Sequence, residues 1–221
     1  KAHEGSANVQ TLCCRALWHL ADYHENMEAI AAAGGIEAVV EGMKAHKGSA
    51  GVQEQGCGAL LNLADKNDKN REAIGMAGGI KAVVQGMKAH VGRAGVQERG
   101  CGALWKLVLN DKNREAIAIA GGIKAVVEGM KAHEGSAGVQ TQGCGAFWHL
   151  ADYHENMEAI AAAGGIEAVV EGMKAHEGSV NVQANGCAAL WQLADYHENI
   201  GSVGVQAQGC GVLANLAIND K

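Results

Sequence analysis

The sequence predicts an all-α solenoid, and three observations support this: an internal repeat, apolar residues at helical spacing, and glycines at fixed places in each repeat. The pair Val-Gln opens successive units that are 43, 44, 43, 43 and 23 residues apart. A period near 43 residues is typical of a stack in which each unit buries its apolar face against its neighbours. We therefore expect residues 1–221 to form a single array, with units that begin near Val9, Val52, Val96, Val139, Val182 and Val205.

The first two helices of a unit are short and meet at a glycine pair. In the copy that follows Val9, the first helix is predicted over 26–33, with Asn26 as its cap and Gly34-Gly35 as its end. The second helix is predicted over 36–46. Its apolar residues recur at helical spacing and predict a buried stripe of Ile36, Val39, Val40 and Met43.

The third helix is the longest and is predicted over about 8–22. At about 100° per residue, one apolar arc collects Cys14, Ala16, Leu17, Leu20 and Ala21. Glycines recur inside this helix, as at Gly56 and Gly58. Each costs roughly 1 kcal/mol relative to alanine, so we expect close approach between helices to offset that cost.

The cysteines follow the repeat and predict free thiols. Equivalent positions on stacked helices lie about 8–10 Å apart, whereas a disulfide needs about 4.4–6.8 Å between Cα atoms. We therefore expect small buried hydrophobes and a reducing, cytoplasmic location. The six cysteines that lie five residues after an opening valine are Cys14, Cys57, Cys101, Cys144, Cys187 and Cys210.

Composition argues against several classes of function. The net charge is −6 and no Lys/Arg cluster occurs, which disfavours nucleic acid and anionic membranes as partners. No apolar run reaches about 18 residues, so no membrane insertion is expected. His19 and the following His24 lie five residues apart, which points them about 140° apart on a helix, so they are not expected to share a metal. No P-loop, dinucleotide fingerprint or catalytic triad spacing occurs, and we expect no catalytic residue and no cofactor.

The last step of 23 residues predicts a fault in the register. About 20 residues, the first and second helices of one unit, are expected to be missing between Asn199 and Ile200. A direct link there would have to run back along about 22 Å of helix. Both ends of the chain are also expected to be cut within a unit, which leaves room for a longer array or for end-to-end contacts.

The short helix ending in Ala-Gly-Gly, the GGIxAVVxGMKAH helix and the VQxxGCGALxxLA helix together resemble the armadillo repeat, over essentially the whole chain. The resemblance implies a right-handed superhelix of three-helix repeats whose third helices line a concave groove for extended peptides. It also implies that a ladder of asparagines would clamp the peptide backbone. Here only Asn62 and Asn215 keep that residue, so the chain departs from the import-receptor pattern. The matching positions are His19, Asn62, Lys106, His149, Gln192 and Asn215.

Tryptophans and carboxylates are expected on the same face. Arg15 and Lys106 are the main positive charges expected there. In one interpretation, the rings are anchors of an acidic peptide-binding groove. In the other, each ring fills a crevice between neighbouring third helices. In three of the four copies a small residue three positions earlier leaves room beside the ring. The residues concerned are Trp18, Trp105, Trp148 and Trp191, with Asp22, Glu54, Asp65, Glu98, Asp152 and Asp195.

The sequence therefore predicts a non-catalytic scaffold that binds an extended protein segment, basic or apolar, in the concave groove. Two alternatives remain open. The array could be a structural spacer in a larger assembly, joined by its convex face or its open ends. It could also be an engineered or consensus-derived scaffold, because residues 16–46 and 146–176 differ only in the exchange of Leu17 for Phe147.

Overall fold

A computed structural model describes residues 5–194, which form helices joined by short turns, with no β-strand in that range. The first helices of the units are α2, α5, α8 and α11, and the second helices are α3, α6, α9 and α12. The third helices are α1, α4, α7, α10 and α13. The bounds are α1 Ala7–Leu20, α2 His24–Ala32, α3 Gly35–Ala45, α4 Ala50–Ala64, α5 Asp68–Met76, α6 Gly79–Ala89, α7 Ala94–Leu107, α8 Asp111–Ile119, α9 Gly122–Ala132, α10 Ala137–Leu150, α11 His154–Ala162, α12 Gly165–Ala175 and α13 Val180–Ala194.

The helices stack in sequence order. Each third helix packs on the next, from α1 against α4 to α10 against α13, and the second helices pack in the same serial manner. The main contacts of every helix lie within its own unit or an adjacent one. This nearest-neighbour packing confirms the predicted α-solenoid of three-helix repeats.

The glycine pairs mark the junction of the first and second helices, as predicted, but the cap of the first helix differs. Gly34 has φ +78°, a left-handed conformation that a side chain strains, and it is the N-cap of α3. The prediction that Asn26 caps the first helix is wrong. Tyr23 is the N-cap of α2, and the Asn26 amide instead donates to the Leu20 carbonyl at 2.9 Å. Asn26 thereby closes the preceding third helix.

The buried stripe of the second helix is confirmed. Ile36, Val39, Val40 and Met43 are each at most 1% exposed. The helical glycines of the third helix explain how the stripe fits, because a Cβ built on Gly56 would lie 2.6 Å from Met43 Cγ. Only a residue without a side chain lets the two helices approach this closely, which offsets its low helix propensity.

The apolar arc predicted for α1 is buried only in part. Cys14 and Ala21 are buried, but Leu20 is 50% exposed and Ala16 is exposed as well. The equivalent Leu63 and Leu107 are fully buried. The difference arises because, within the described residues, no first and second helix packs on the other side of α1.

The glutamine of each Val-Gln pair joins the second helix to the third, a role that the repeat pattern alone did not reveal. Gln97 is fully buried, and its side-chain amide donates to the carbonyls of Met87 at 2.9 Å and His90 at 3.0 Å. These carbonyls lie at the end of α6, where the helix itself provides no further N–H groups to bond them. The same pair of bonds is made by Gln53, Gln140 and Gln183.

The histidines that close the second helices link successive units. His90 Nε2 lies 2.7 Å from the Lys47 carbonyl, and His133 Nε2 lies 2.7 Å from the Val91 carbonyl. Because a carbonyl only accepts, Nε2 must carry the proton in both rings. Each of these side chains at the end of a second helix therefore bonds to the preceding unit.

The cysteines at the repeat position are buried thiols in four consecutive units, namely Cys14, Cys57, Cys101 and Cys144. Cys187 is half-buried, and Cys13 is exposed. Burial raises the pKa of the Cys57 thiol to about 12 and that of the Cys144 thiol to about 12. Burial likewise raises the pKa of Cys101.

We expect the buried thiols to resist alkylation in the folded protein. With iodoacetamide at pH 8, Cys13 should be modified within minutes, whereas Cys57, Cys101 and Cys144 should stay unmodified, since the thiolate is the reactive form. Peptide mass spectrometry measures each site. The control is the same reaction in guanidinium chloride, where all cysteines should react, and modification of Cys57 in the folded chain at the rate of Cys13 would contradict the assignment.

Several predictions concern residues outside the described range of 5–194. They are the unit at Val205, the thiol of Cys210, the missing segment between Asn199 and Ile200, and the two cut ends. In the part of the chain that is described, no helix is long and apolar enough to span a lipid bilayer.

Candidate functional site

The third helices present equivalent side chains on one surface, which we call the third-helix face. It comprises the residues two, three, nine and ten positions after each opening valine in α1, α4, α7, α10 and α13, together with the residue thirteen positions after the valine, which follows the end of the helix. Positions two and nine are separated by seven residues, which places them on one side of the helix. The predicted site residues Asp195 and Asn215 lie outside the described residues.

The tryptophans lie across the junctions between third helices. Trp18, Trp105 and Trp148 are half-buried and pack against the core, whereas Trp191 is 73% exposed. A Cβ built on Gly145 would lie 2.6 Å from the Trp105 ring. The rings thus fill crevices and still present an open side.

The small residue beside Trp18 and the one beside Trp105 belong to the next unit, not to the same helix as predicted. Trp18 lies against Gly58, where a Cβ would be 3.3 Å from the ring, just as Trp105 lies against Gly145. Gly102, three residues before Trp105, instead faces Leu61 of the preceding unit, whose Cδ1 would lie 3.3 Å from its Cβ. A ring in one unit therefore needs a small residue in the following unit.

Leu61 replaces tryptophan in the second unit, and a cavity of about 300 Å³ lies there. The smaller side chain leaves space between the units of Trp18 and Trp105. The wall combines apolar surface with two carboxylates and three other polar groups. The lining residues are Ala21, Asp22, Met27, Leu61, Asn62, Asp65, Trp105, Lys106 and Gln142.

Two carboxylates of the face are paired with cations of the chain itself. Glu54 Oε1 lies 3.0 Å from Arg99 Nη1, and Asp65 Oδ1 lies 3.0 Å from Lys106 Nζ. The same cations lie on aromatic rings, since the Arg99 guanidinium is 4.1 Å from the Trp18 ring centre and Lys106 Nζ is 4.8 Å from that of Trp105. Such contacts combine ion pairing with cation–π attraction.

Arg114 makes a related set of contacts at the edge of the face. Its Nη2 lies 3.9 Å from Asp152 Oδ2, and its guanidinium lies 5.5 Å from the Tyr153 ring centre. Of the cations that contact these rings and carboxylates, the sequence analysis identified Lys106 but not Arg99 or Arg114. One signal for Arg99 was present in the sequence: it is a cation at a repeat position where the other described units have uncharged residues. Those residues are Leu12, Gln55, Gln142 and Asn185.

Asn62 keeps the residue of the family ladder, but its amide is bonded within the chain. Its Nδ2 donates to the Trp18 carbonyl at 3.0 Å and to Asp22 Oδ1 at 2.6 Å. Both acceptors belong to the preceding unit. This donor therefore fastens two third helices together.

The two histidines of the face lie flat on tryptophans. The rings of His19 and Trp18 are stacked with centres 4.8 Å apart, and those of His149 and Trp148 are 4.6 Å apart. Burial lowers the pKa of His149, and the nearby carboxylate of Asp152, with Nδ1–Oδ2 at 3.7 Å, opposes that shift. The neutral imidazole is therefore the favoured form, and it extends the aromatic surface of Trp148.

Glu54 and Glu98 also lie against the start of the following third helix. A Cβ on Gly95 would be 2.7 Å from the Glu54 carboxylate, and a Cβ on Gly138 would be 2.5 Å from that of Glu98. Gly95 and Gly138 are in the first turns of α7 and α10, where negative charge is stabilised by the helix dipole. Both carboxylates thus contribute to the stacking of units.

The third-helix face combines aromatic rings, amides and charged groups. Across residues 5–194, no three His, Cys, Asp or Glu side chains are grouped so that they could hold a metal ion. The predicted residues that the structure brings together on this face are Trp18, Trp105, Trp148, Trp191, His19, Asn62, Lys106, His149, Gln192, Asp22, Glu54, Asp65, Glu98 and Asp152.

Comparison with known structures places the fold among repeat proteins. An engineered protein solved by the Northeast Structural Genomics Consortium is 24% identical with a TM-score of 0.75, covering 96% of this chain and 92% of its own. Another is 28% identical with a TM-score of 0.79, covering 94% of this chain and 49% of its own. A designed armadillo repeat protein in complex with the peptide (KR)4 is 16% identical with a TM-score of 0.72, covering 91% of this chain and 90% of its own.

Sequence comparison gives the family. No curated protein matches the chain significantly. The family model described as the LRRK2 ARM repeat matches residues 1–161, well over half of the 221 residues. Together with the serial stack of three-helix units, this match shows that the chain belongs to the armadillo repeat family.

Proposed function

We propose that this protein is a non-catalytic interaction scaffold that holds an extended peptide segment along the third-helix face, as the concave groove of the array. The observation that carries the proposal is the row of half-buried tryptophans at one register position, interrupted by the cavity at Leu61. Rings held by packing lose little freedom on binding, and tryptophan is a frequent anchor of interfaces.

The size and chemistry of the cavity support a peptide rather than a compact small molecule. About 300 Å³ is at the lower limit of small-molecule pockets, but it suits one or two side chains of an extended segment. The designed relative that was solved with (KR)4 uses the same architecture. We therefore infer an extended basic or apolar protein segment as the partner, in the reducing environment of the cytoplasm that the free thiols favour.

Binding of a peptide library tests the proposal through the tryptophans. We expect Trp105→Ala and Trp148→Ala each to weaken binding of selected octapeptides about tenfold or more, since each removes an anchor. Fluorescence anisotropy with labelled peptides measures the dissociation constants. Trp105→Leu, which copies the residue of the second unit, keeps more of the packing and separates lost contacts from lost folding.

Met76→Ala is the matched control. Met76 is 83% exposed on α5, a first helix, so its loss removes exposed apolar surface away from the third-helix face. The affinity of Met76→Ala for the selected peptides should stay within about twofold of that of the unchanged protein. The proposal of a peptide-binding groove would be refuted if the selected peptides bound both tryptophan variants as tightly as the unchanged chain.

A structural spacer is the second candidate, favoured by the apolar surface of α1. Leu12 and Leu20 are 53% and 50% exposed there, and a further unit could cover them end to end. This candidate predicts self-association that rises with concentration, together with an absence of peptide binding. The near identity of two units also remains compatible with an engineered scaffold that has no natural ligand.

A further inference from the structure

We propose that Arg99 and Lys106 are specificity-determining residues, which make the first three units of the groove bind basic segments less well than uncharged ones. The inference deepens the proposed function and rests on it. Each cation lies on a tryptophan ring and beside a carboxylate, which is the place where a lysine or arginine of a bound peptide would interact most favourably. An uncharged apolar segment is then the partner that this part of the groove favours.

Arg99 reaches back across two units. It begins on α7, passes Gly58 of α4, where a Cβ would lie 3.2 Å from its Cδ, and places its guanidinium 4.1 Å from the Trp18 ring centre. Its Nη1 is 3.0 Å from Glu54 Oε1, and the side chain is only 22% exposed. The absence of a side chain at Gly58 makes this path possible.

Lys106 occupies the next aromatic position in the same way. Its Nζ lies 4.8 Å from the Trp105 ring centre and 3.0 Å from Asp65 Oδ1, and the side chain is 26% exposed. Both partners line the cavity at Leu61. The carboxylate that would attract an incoming cation therefore already has a neighbour of opposite charge.

A further polar donor of this region, the amide of Asn62, is engaged as well. Asn62 Nδ2 is bonded to Asp22 and to the Trp18 carbonyl. A basic peptide would have to displace Arg99 or Lys106 from both ring and carboxylate, and would bring like charges together if it did not. An apolar side chain needs neither exchange, since it can rest on Leu61, Ala21 and Met27 in the cavity.

The sequence itself supplies replacements that should preserve the fold. Gln55 and Gln142 stand at the position of Arg99, and Gln192 stands at that of Lys106. The variant Arg99→Gln/Lys106→Gln therefore keeps a residue that the array already tolerates at each place. It removes both cations and leaves Trp18, Trp105, Glu54 and Asp65 unchanged.

The test uses two labelled octapeptides, (KR)4 and the uncharged (LQ)4, at about 0.15 M salt. The double variant should bind (KR)4 at least about tenfold more tightly than the unchanged protein, because two rings and two carboxylates become available. Its affinity for (LQ)4 should change less than about twofold. Fluorescence anisotropy gives both constants, and thermal unfolding confirms that the variant is folded.

The control removes two positive charges elsewhere. Lys69 and Lys112 are on the first helices α5 and α8, with side chains 88% and 78% exposed. Lys69→Gln/Lys112→Gln has the same net charge as the test variant, and its affinity for (KR)4 should change less than about twofold, because long-range attraction is screened at this salt concentration. An equal gain in both double variants would overturn the inference and leave net charge as the cause.

The outcomes separate this inference from the proposed function. If library peptides bind through Trp105 and Trp148 but the double variant gains nothing for (KR)4, the scaffold stands and the specificity role is refuted. If neither octapeptide nor any library peptide binds the unchanged protein or the double variant, both are refuted. A gain for (KR)4 that Trp105→Ala then removes supports both.

Discussion

Phe147→Ala should lower the free energy of unfolding by about 3–5 kcal/mol, the range found when a fully buried aromatic side chain is truncated. Phe147 is 0% exposed on α10, and its ring reaches the start of α12, where its Cε2 would lie 3.3 Å from a Cβ on Gly165. The stack depends on such contacts, because each unit is stabilised mainly by its neighbours. The cavity that this substitution leaves should therefore weaken the packing of α10 and of the two units that contact it.

Urea unfolding followed by circular dichroism measures this loss, with Leu17→Ala as the matched control. Leu17 stands at the same position in the nearly identical unit, but it is only partly buried on α1. We expect its replacement to cost less than half as much as that of Phe147. Equal losses for the two variants would show that α1 is covered in solution, and would contradict the exposure of Leu20.

Gln97→Ala should destabilise the fold by about 2 kcal/mol, more than is usual for a neutral polar side chain. Its amide satisfies the carbonyls of Met87 and His90, and a buried carbonyl without a partner costs about 1–3 kcal/mol. The loss is smaller than two such penalties because the Gln97 Oε1 atom is itself buried without a partner, and the substitution removes it too.

Gln85→Ala is the control for the buried glutamine, since Gln85 is exposed on α6. Its replacement should change the free energy of unfolding by less than about 0.5 kcal/mol. Hydrogen exchange should also show faster exchange at the end of α6 in Gln97→Ala alone. A stability for Gln97→Ala equal to that of Gln85→Ala would mean that water replaces the lost donor.

The third-helix face shows which contacts the sequence could not predict. Trp18 and Trp105 were recognisable because their register recurs, and the helical period placed them on one face. Their neighbours were not recognisable, because the residue that makes room for a ring belongs to the following unit. Arg99 is the clearest case, since its contacts with Glu54 and Trp18 cross 45 and 81 positions of the chain (99 − 54 and 99 − 18).

The junctions between helices show the same division. Gly34-Gly35 marked the turn correctly, because a left-handed backbone has a local cause in one residue type. Asn26 has the chemistry of a cap and could have served as one, but the open carbonyl of Leu20 is closer in the folded unit. Local propensity gave the position of the turn and tertiary contact chose the partner.

The sequence by itself determined the repeat, the three helices of each unit, the buried stripe and the face on which tryptophans recur. These follow from period and local propensity, which act within a unit. Only the tertiary structure decided that Arg99 and Lys106 occupy the rings, that Asn62 fastens two units, and that Leu20 stays exposed. Those outcomes depend on how adjacent units are placed against each other, and the repeat pattern in the sequence does not specify that placement.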